Sequence, residues 1–243
     1  MRSGNPILKE GTFAPVGSGA AMTVQGTVSR TLVLLLLAVA GAATVWGPVI
    51  ADPTSPVVGT GILVGALGGL VVAMVTIFKR QWAPFTAPIY ALLEGVFLGA
   101  LSATFEARYP GIAIQAVGLT FGTCFALLAL YKAGVLRATA RFRRTVFAAT
   151  GAIAVVYLAS IVMGFFGMEM PLLHDSGPIG IGVSLVIVAV AALNLVLDFD
   201  LIESGAAQGA PKYMEWYGAF ALMVTLVWLY LEILRLLSKL QRR

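Results

Sequence analysis

Four carboxylates, Glu94, Asp198, Asp200 and Glu232, fall inside or at the edge of long apolar runs. A charged side chain at the centre of a bilayer costs about 2.5–3.5 kcal/mol on insertion scales, so each needs a partner, a water-filled cavity or a proton. Two carboxylates held together in a low-dielectric cavity cannot both ionise easily; they titrate as a unit. Protonated, such a pair shares a hydrogen bond and ties two helices together. Deprotonated, it repels and offers oxygen ligands to a hard cation such as calcium. This is a physical route to a pH-gated cation pathway.

The four acids differ in setting. Asp198 follows an unbroken apolar stretch, residues 177–197, and Asn194 lies one turn earlier on the same helical face, which therefore reads as polar and inward. Asp200 is rotated away from that face and shares one with Glu203, where the helix exits toward water. Glu94 stands eleven residues into its run, about 17 Å from the start, at mid-membrane depth. It either bonds to a neighbouring helix as the neutral acid or joins the polar cluster. Glu232 is three residues before Arg235, which allows an intrahelical ion pair; alternatively it faces the same cavity as Asp198.

The elements that must position these residues are membrane helices. Apolar residues make up 59% of the chain and charged residues only 11%, too few to cover a water-facing surface. Runs of about 20 apolar residues recur seven times, near 31–50, 55–78, 83–105, 109–131, 145–168, 178–203 and 213–237. The expected fold is therefore all-α, a transmembrane bundle of seven helices, preceded by a polar tail over 1–30 that does not read as a cleaved signal peptide. The runs lack the alternation of a membrane β-barrel. Pro and Gly punctuate their boundaries, and Trp46, Trp82, Tyr109, Tyr131 and Trp216 sit at their ends, where amphipathic rings prefer the headgroup level. Glycines recur at four-residue spacing (Gly61, Gly65 and Gly69; Gly95 and Gly99; Gly118 and Gly122), a pattern for close helix packing.

Orientation follows from Lys and Arg. Lys79 and Arg80 follow the second run; Lys132, Arg137, Arg141, Arg143 and Arg144 separate the fourth from the fifth; Arg2, Lys9 and Arg30 precede the first. These belong to one side, the cytoplasmic one by the positive-inside rule, with the amino terminus. Seven crossings then put the carboxyl terminus outside, against its own Lys239, Arg242 and Arg243. The expected location is the cell membrane. Lipid is the natural partner, and the net charge of +5, concentrated between spans, does not describe a nucleic-acid face.

The last two runs carry a resemblance. Residues 193–202, Leu-Asn-Leu-Val-Leu-Asp-Phe-Asp-Leu-Ile, and residues 229–237, Leu-Tyr-Leu-Glu-Ile-Leu-Arg-Leu-Leu, resemble the two final spans of the Bax inhibitor-1/YccA family, and Glu94-Gly95-Val96-Phe97-Leu98-Gly99-Ala100 resembles the third span of a bacterial branch. The resemblance implies a calcium leak whose opening depends on pH, with no tightly bound cofactor and calcium as the transported ion. It implies a sensor pair on spans six and seven, which maps onto Asp198 and Glu232 as weak calcium ligands, and a basic latch after span two, for which Arg80 is nearest and Lys79 second. Glu232 departs from the family's aspartate. A tight turn at Gly209 to Pro211 would leave Asp198 and Glu232 about 15 Å apart in depth, so they are level only if part of 205–217 lies along the interface. The same counting brings Glu94 level with Asp198, as a third member or a replacement partner.

Enzyme readings find no support. A Gly-x-Gly-Asp motif for an intramembrane aspartyl protease is missing, no lysine inside the last span would hold retinal, and no phosphate-binding loop is present. One Cys, Cys124, and one distant His, His174, cannot build a zinc site. The rival reading is an interaction protein, since YccA-like members are associated with restraining a membrane protease.

Overall fold

The computed structural model describes residues 20–168, 175 and 177–242. Among the described residues the helices are α1 (Val24–Ala51), α2 (Pro56–Phe78), α3 (Ala83–Arg108), α4 (Ile112–Lys132), α5 (Ala140–Phe165), α6 (Pro178–Ala207) and α7 (Met214–Gln241), with a short 3-10 turn, Arg80–Trp82, between α2 and α3. Each of the seven is long and apolar enough to cross a bilayer, and no strand is found among the described residues. The chain has the form of a multi-pass membrane protein. Arg2, Lys9, His174 and Arg243, named above, lie outside the described residues.

Local chemistry sets the helix ends. The Thr23 hydroxyl accepts from the Gly26 N–H and caps α1; Ser55 caps α2 ahead of Pro56, and Thr139 caps α5. Gly111 takes φ 87°, a left-handed turn that reverses the chain between α3 and α4. The first helix begins at Val24, inside the stretch read from sequence as tail. The cap at Thr23 explains the correction: hydropathy marks where apolar residues start, whereas the hydrogen-bonded helix starts at its cap.

Helix α7 is the hub, packing against α1, α3, α4 and α6, and contributes Met223, Leu226, Leu229, Ile233 and Leu234 to the core. The closest pairing is α1 on α3. A methyl group on Gly95 would strike the Ala38 carbonyl, and one on Gly41 the Leu92 carbonyl, so these backbones touch where only glycine fits. Gly65 brings α2 onto α3 in the same way, against Phe97. The pattern does not extend to α4: Gly118 and Gly122 have nothing near them, which corrects the packing role read from their spacing. Helix α5 is peripheral, with Val146 its only buried residue.

Contacts between helix ends show which termini share a side. Met22 N–H donates to the Ala210 carbonyl at 2.7 Å, Arg80 lies over the Tyr217 ring, Lys132 pairs with Glu203, and Arg143 pairs with Asp200. The basic loops thus gather at one end of the bundle, with the start of α1; we call this the tail side. At the far side Lys239 is buried, its ammonium donating to the Gly180 carbonyl at 3.0 Å and the Ser184 hydroxyl at 2.9 Å. One of the three cations that argued against a seventh crossing is therefore an internal tie between α7 and the start of α6.

Candidate functional site

Glu94 on α3 and Asp198 on α6 line one cavity of about 580 Å³. Three helices bring polar groups to the same depth. Asp198 is nine residues from the tail-side end of α6, about 14 Å; Glu94 and Thr225 are each eleven residues from the tail-side ends of α3 and α7, about 17 Å. The Thr225 hydroxyl lies beside the Asp198 carboxyl, and Tyr90, one turn before Glu94 on α3, sets its hydroxyl beside the Glu94 carboxyl. The Oδ2 atom of Asp198 is buried and has no hydrogen-bond partner, a condition a water or cation in the cavity would relieve. Gly69 on α2 faces the Glu94 carboxylate: a methyl group there would stand 3.0 Å from Glu94 Oε2. One glycine of the α2 stripe thus makes room for an acid as well as for a helix.

The remaining walls are apolar, including Leu70, Met74 and Val224, and Tyr217 stands at the tail side. The Arg80 guanidinium lies 5.4 Å from the Tyr217 ring centre, a cation–π contact. The residue that the resemblance nominated as a latch therefore stands next to a wall of the cavity, held by an aromatic face.

Glu232 is elsewhere. Helix α6 ends at Ala207 and α7 begins at Met214, so the connection is short and the two helices run back to back. Glu232 falls seven residues beyond Thr225, about 10 Å further along α7. It is buried, at 2% exposure, where it accepts from the Tyr157 hydroxyl on α5 at 2.6 Å and pairs with Arg235 at 3.2 Å. Arg235 also donates to the Tyr157 oxygen. The structure thus forms the intrahelical pair and does not bring Glu232 to Asp198. An Asp198–Glu232 calcium site is not assembled, and among the described residues no three acids, His or Cys converge as metal ligands.

Asn194 and Asp200 also turn toward α5. The Asn194 amide donates to the Thr150 hydroxyl at 2.9 Å, and Asp200 accepts from Arg143 at 2.6 Å. Three residues singled out in the sequence, Asp200, Asn194 and Glu232, therefore hold the poorly buried α5 to the bundle at three heights. The Asn194 face does not continue the Asp198 cavity as its spacing suggested. Two helix neighbours four residues apart differ by 40° in direction, enough to point at different partners.

A second polar constellation was not anticipated. Glu215, at the start of α7, is fully buried; its Oε1 accepts from the Thr23 N–H at 3.0 Å, the Thr23 hydroxyl at 2.9 Å and the Lys212 ammonium at 2.7 Å. A methyl group on Gly26 would overlap this carboxylate. Met22 packs against Gly205 and Gly218, and Arg30 lies over Trp216. The start of α1 is thus clamped to the α6–α7 connection. The only sequence signal was an acid in a first helical turn, which also has the ordinary meaning of complementing the helix dipole.

The model of the family described as Bax inhibitor 1 like matches residues 5–242, nearly the whole chain. Searches of the curated proteins and of the solved structures find no match.

Proposed function

The chain belongs to the Bax inhibitor 1 like family, and from that premise we propose that it is a pH-sensitive calcium leak whose pathway runs through the Glu94–Asp198 cavity. The observation that carries the proposal is that cavity itself, with two acids from different helices at one depth in the bundle interior. When both acids are neutral, Tyr90 stands beside one and Thr225 beside the other, and the cavity offers no charge to a cation. Loss of a proton leaves a carboxylate in a low-dielectric site, where a divalent ion is its best counter-charge. The pair that senses pH is thus Glu94 with Asp198 rather than Asp198 with Glu232. Arg80 acts as the latch from the tail side: its cation lies over Tyr217, a wall of the cavity, where it repels an entering cation. We take the basic tail side to face the cytoplasm, in keeping with the positive-inside rule.

The test is calcium entry into proteoliposomes holding a trapped calcium dye, over about pH 6 to 8, a range within reach of buried carboxylates. Wild type gives a flux that changes with pH; Asp198→Asn and Glu94→Gln each remove the pH dependence, and Asp200→Asn leaves it. Equal effects of all three would reduce the pair to a diffuse acidic vestibule. No flux above empty liposomes at any pH would favour a regulator of a membrane protease. The feature that suits that rival is the exposed apolar face of α5, with Phe147, Val155, Leu158 and Phe165.

A further inference from the structure

Helices α1 and α4 do not pack on each other; both lean on α7. Between them runs a trough with two apolar chambers. The far-side chamber has a volume of about 420 Å³ and includes Val39, Ile114 and Val117 in its walls. The tail-side chamber is narrower, about 180 Å³, and is walled by Val28, Phe125 and neighbouring apolar groups. Leu35, Phe121 and Leu226 line both, so the two chambers are one continuous feature.

We propose that this trough binds an acyl chain of a phospholipid whose head group lies beside Lys132. Water is a poor occupant, because the walls give it almost no hydrogen-bond partners. An empty trough would forfeit the dispersion contacts of every side chain along it. The neighbour available to a groove on the flank of a membrane bundle is a lipid chain. The tail-side chamber extends along α1 from Val24 to Leu35, eleven residues or about 17 Å. That matches one leaflet, half of a hydrocarbon core about 30 Å thick, so a chain entering there ends in the wider chamber.

Charge decides which end takes the head group. At the far end Glu106 lines the chamber, and its carboxylate is already engaged by the Gly111 and Ala113 N–H groups that open α4. A phosphate there would face an anion with no Lys or Arg among the lining residues. At the tail end stand Tyr131, Lys132 and Glu203, whose carboxylate is already engaged by the Tyr131 hydroxyl and the Lys132 ammonium, so this end brings a cation as well as an acid. The Lys132 side chain is 56% exposed and contacts Glu203 at 3.3 Å, which leaves ammonium hydrogens free for a phosphate. A cation at the tail end and apolar chambers beyond it follow the order of a phospholipid's own parts, head group and then chain.

The experiment is native mass spectrometry of the full chain purified in mild detergent, with phosphatidylglycerol as the added probe. Wild type retains one phospholipid per chain. Val117→Trp fills the wide chamber and lowers retention about tenfold, the effect of displacing a few methylene groups. Lys132→Gln lowers it several-fold, while Leu63→Trp, on the exposed face of α2, leaves it unchanged. Size-exclusion profiles matching wild type establish that each variant is folded; Ile114→Phe replaces Val117→Trp if the latter is not. Absence of a lipid adduct on wild type, equal loss from Leu63→Trp, or an adduct with the mass of a long-chain quinone or polyprenol would overturn the proposal.

Discussion

Glu232 illustrates how a single residue's role depends on what lies across from it. Its three-residue spacing from Arg235 allows an ion pair on one helix, and Tyr157 from α5 completes a hydrogen-bonded triad around the same carboxylate. Removing one member of a buried polar group leaves the others unsatisfied, whereas a shape-conserving change that keeps the acceptor does not. Glu232→Ala should therefore destabilise the protein by about 1–3 kcal/mol in a thermal or denaturant melt in detergent. Glu232→Gln, which retains an acceptor for Tyr157, should lose less and should leave the pH profile of calcium flux in place. A pH profile abolished by Glu232→Gln as fully as by Asp198→Asn would restore Glu232 to the sensor.

At the scale of elements, the helices are held in two distinct ways. Helices α1, α2 and α3 meet through glycine, with backbones in contact. Helix α5 buries little and depends on the Arg143–Asp200, Thr150–Asn194 and Tyr157–Glu232 ties. Interhelical hydrogen bonds in membranes are individually weak, so a double-mutant cycle on Thr150 and Asn194 should give a coupling of about 0.6 kcal/mol. Loss of two ties at once should expose α5 to proteolysis before the rest of the bundle opens. The glycine contacts predict a sharper contrast. Gly95→Val drives a side chain into the α1 backbone and should abolish the folded species in size-exclusion chromatography, while Gly118→Val meets open space and should leave it unchanged.

Over the whole molecule, the clamp at Thr23 and Glu215 ties the beginning of the described chain to the connection between its last two helices. Thr23 serves twice, capping α1 through its hydroxyl oxygen and donating two hydrogen bonds to Glu215. Thr23→Ala removes the cap and one of those donors, and should cost about 1–2 kcal/mol in a melt of the intact protein. Because α7 packs on four other helices, the clamp also sets the seat of the hub and, through Tyr217 and Thr225, two walls of the acid cavity. Hydrogen exchange of the α6–α7 connection should rise in Thr23→Ala and in Glu215→Gln; protection unchanged in both would show that the connection holds itself.

Architecture was legible in the sequence because lipid is an undemanding solvent: a run of about 20 apolar residues is sufficient to specify a spanning helix, and seven such runs stand between polar punctuation. Depth was legible as well, since 1.5 Å per residue brings Glu94 level with Asp198 without any knowledge of contacts. Partners were not. Asp198 and Glu232 occupy motifs that resemble a sensor pair, yet a short connection between α6 and α7 offsets them by about two and a half turns, and azimuth turns Asn194 and Glu232 toward α5. Hydropathy is blind to azimuth in a helix that is apolar on every side, and a single chain carries no record of which neighbour each face meets. Only the tertiary packing decided that, and with it the placing of Glu94 and Asp198 on one cavity, the burial of Lys239 and the clamp on Glu215.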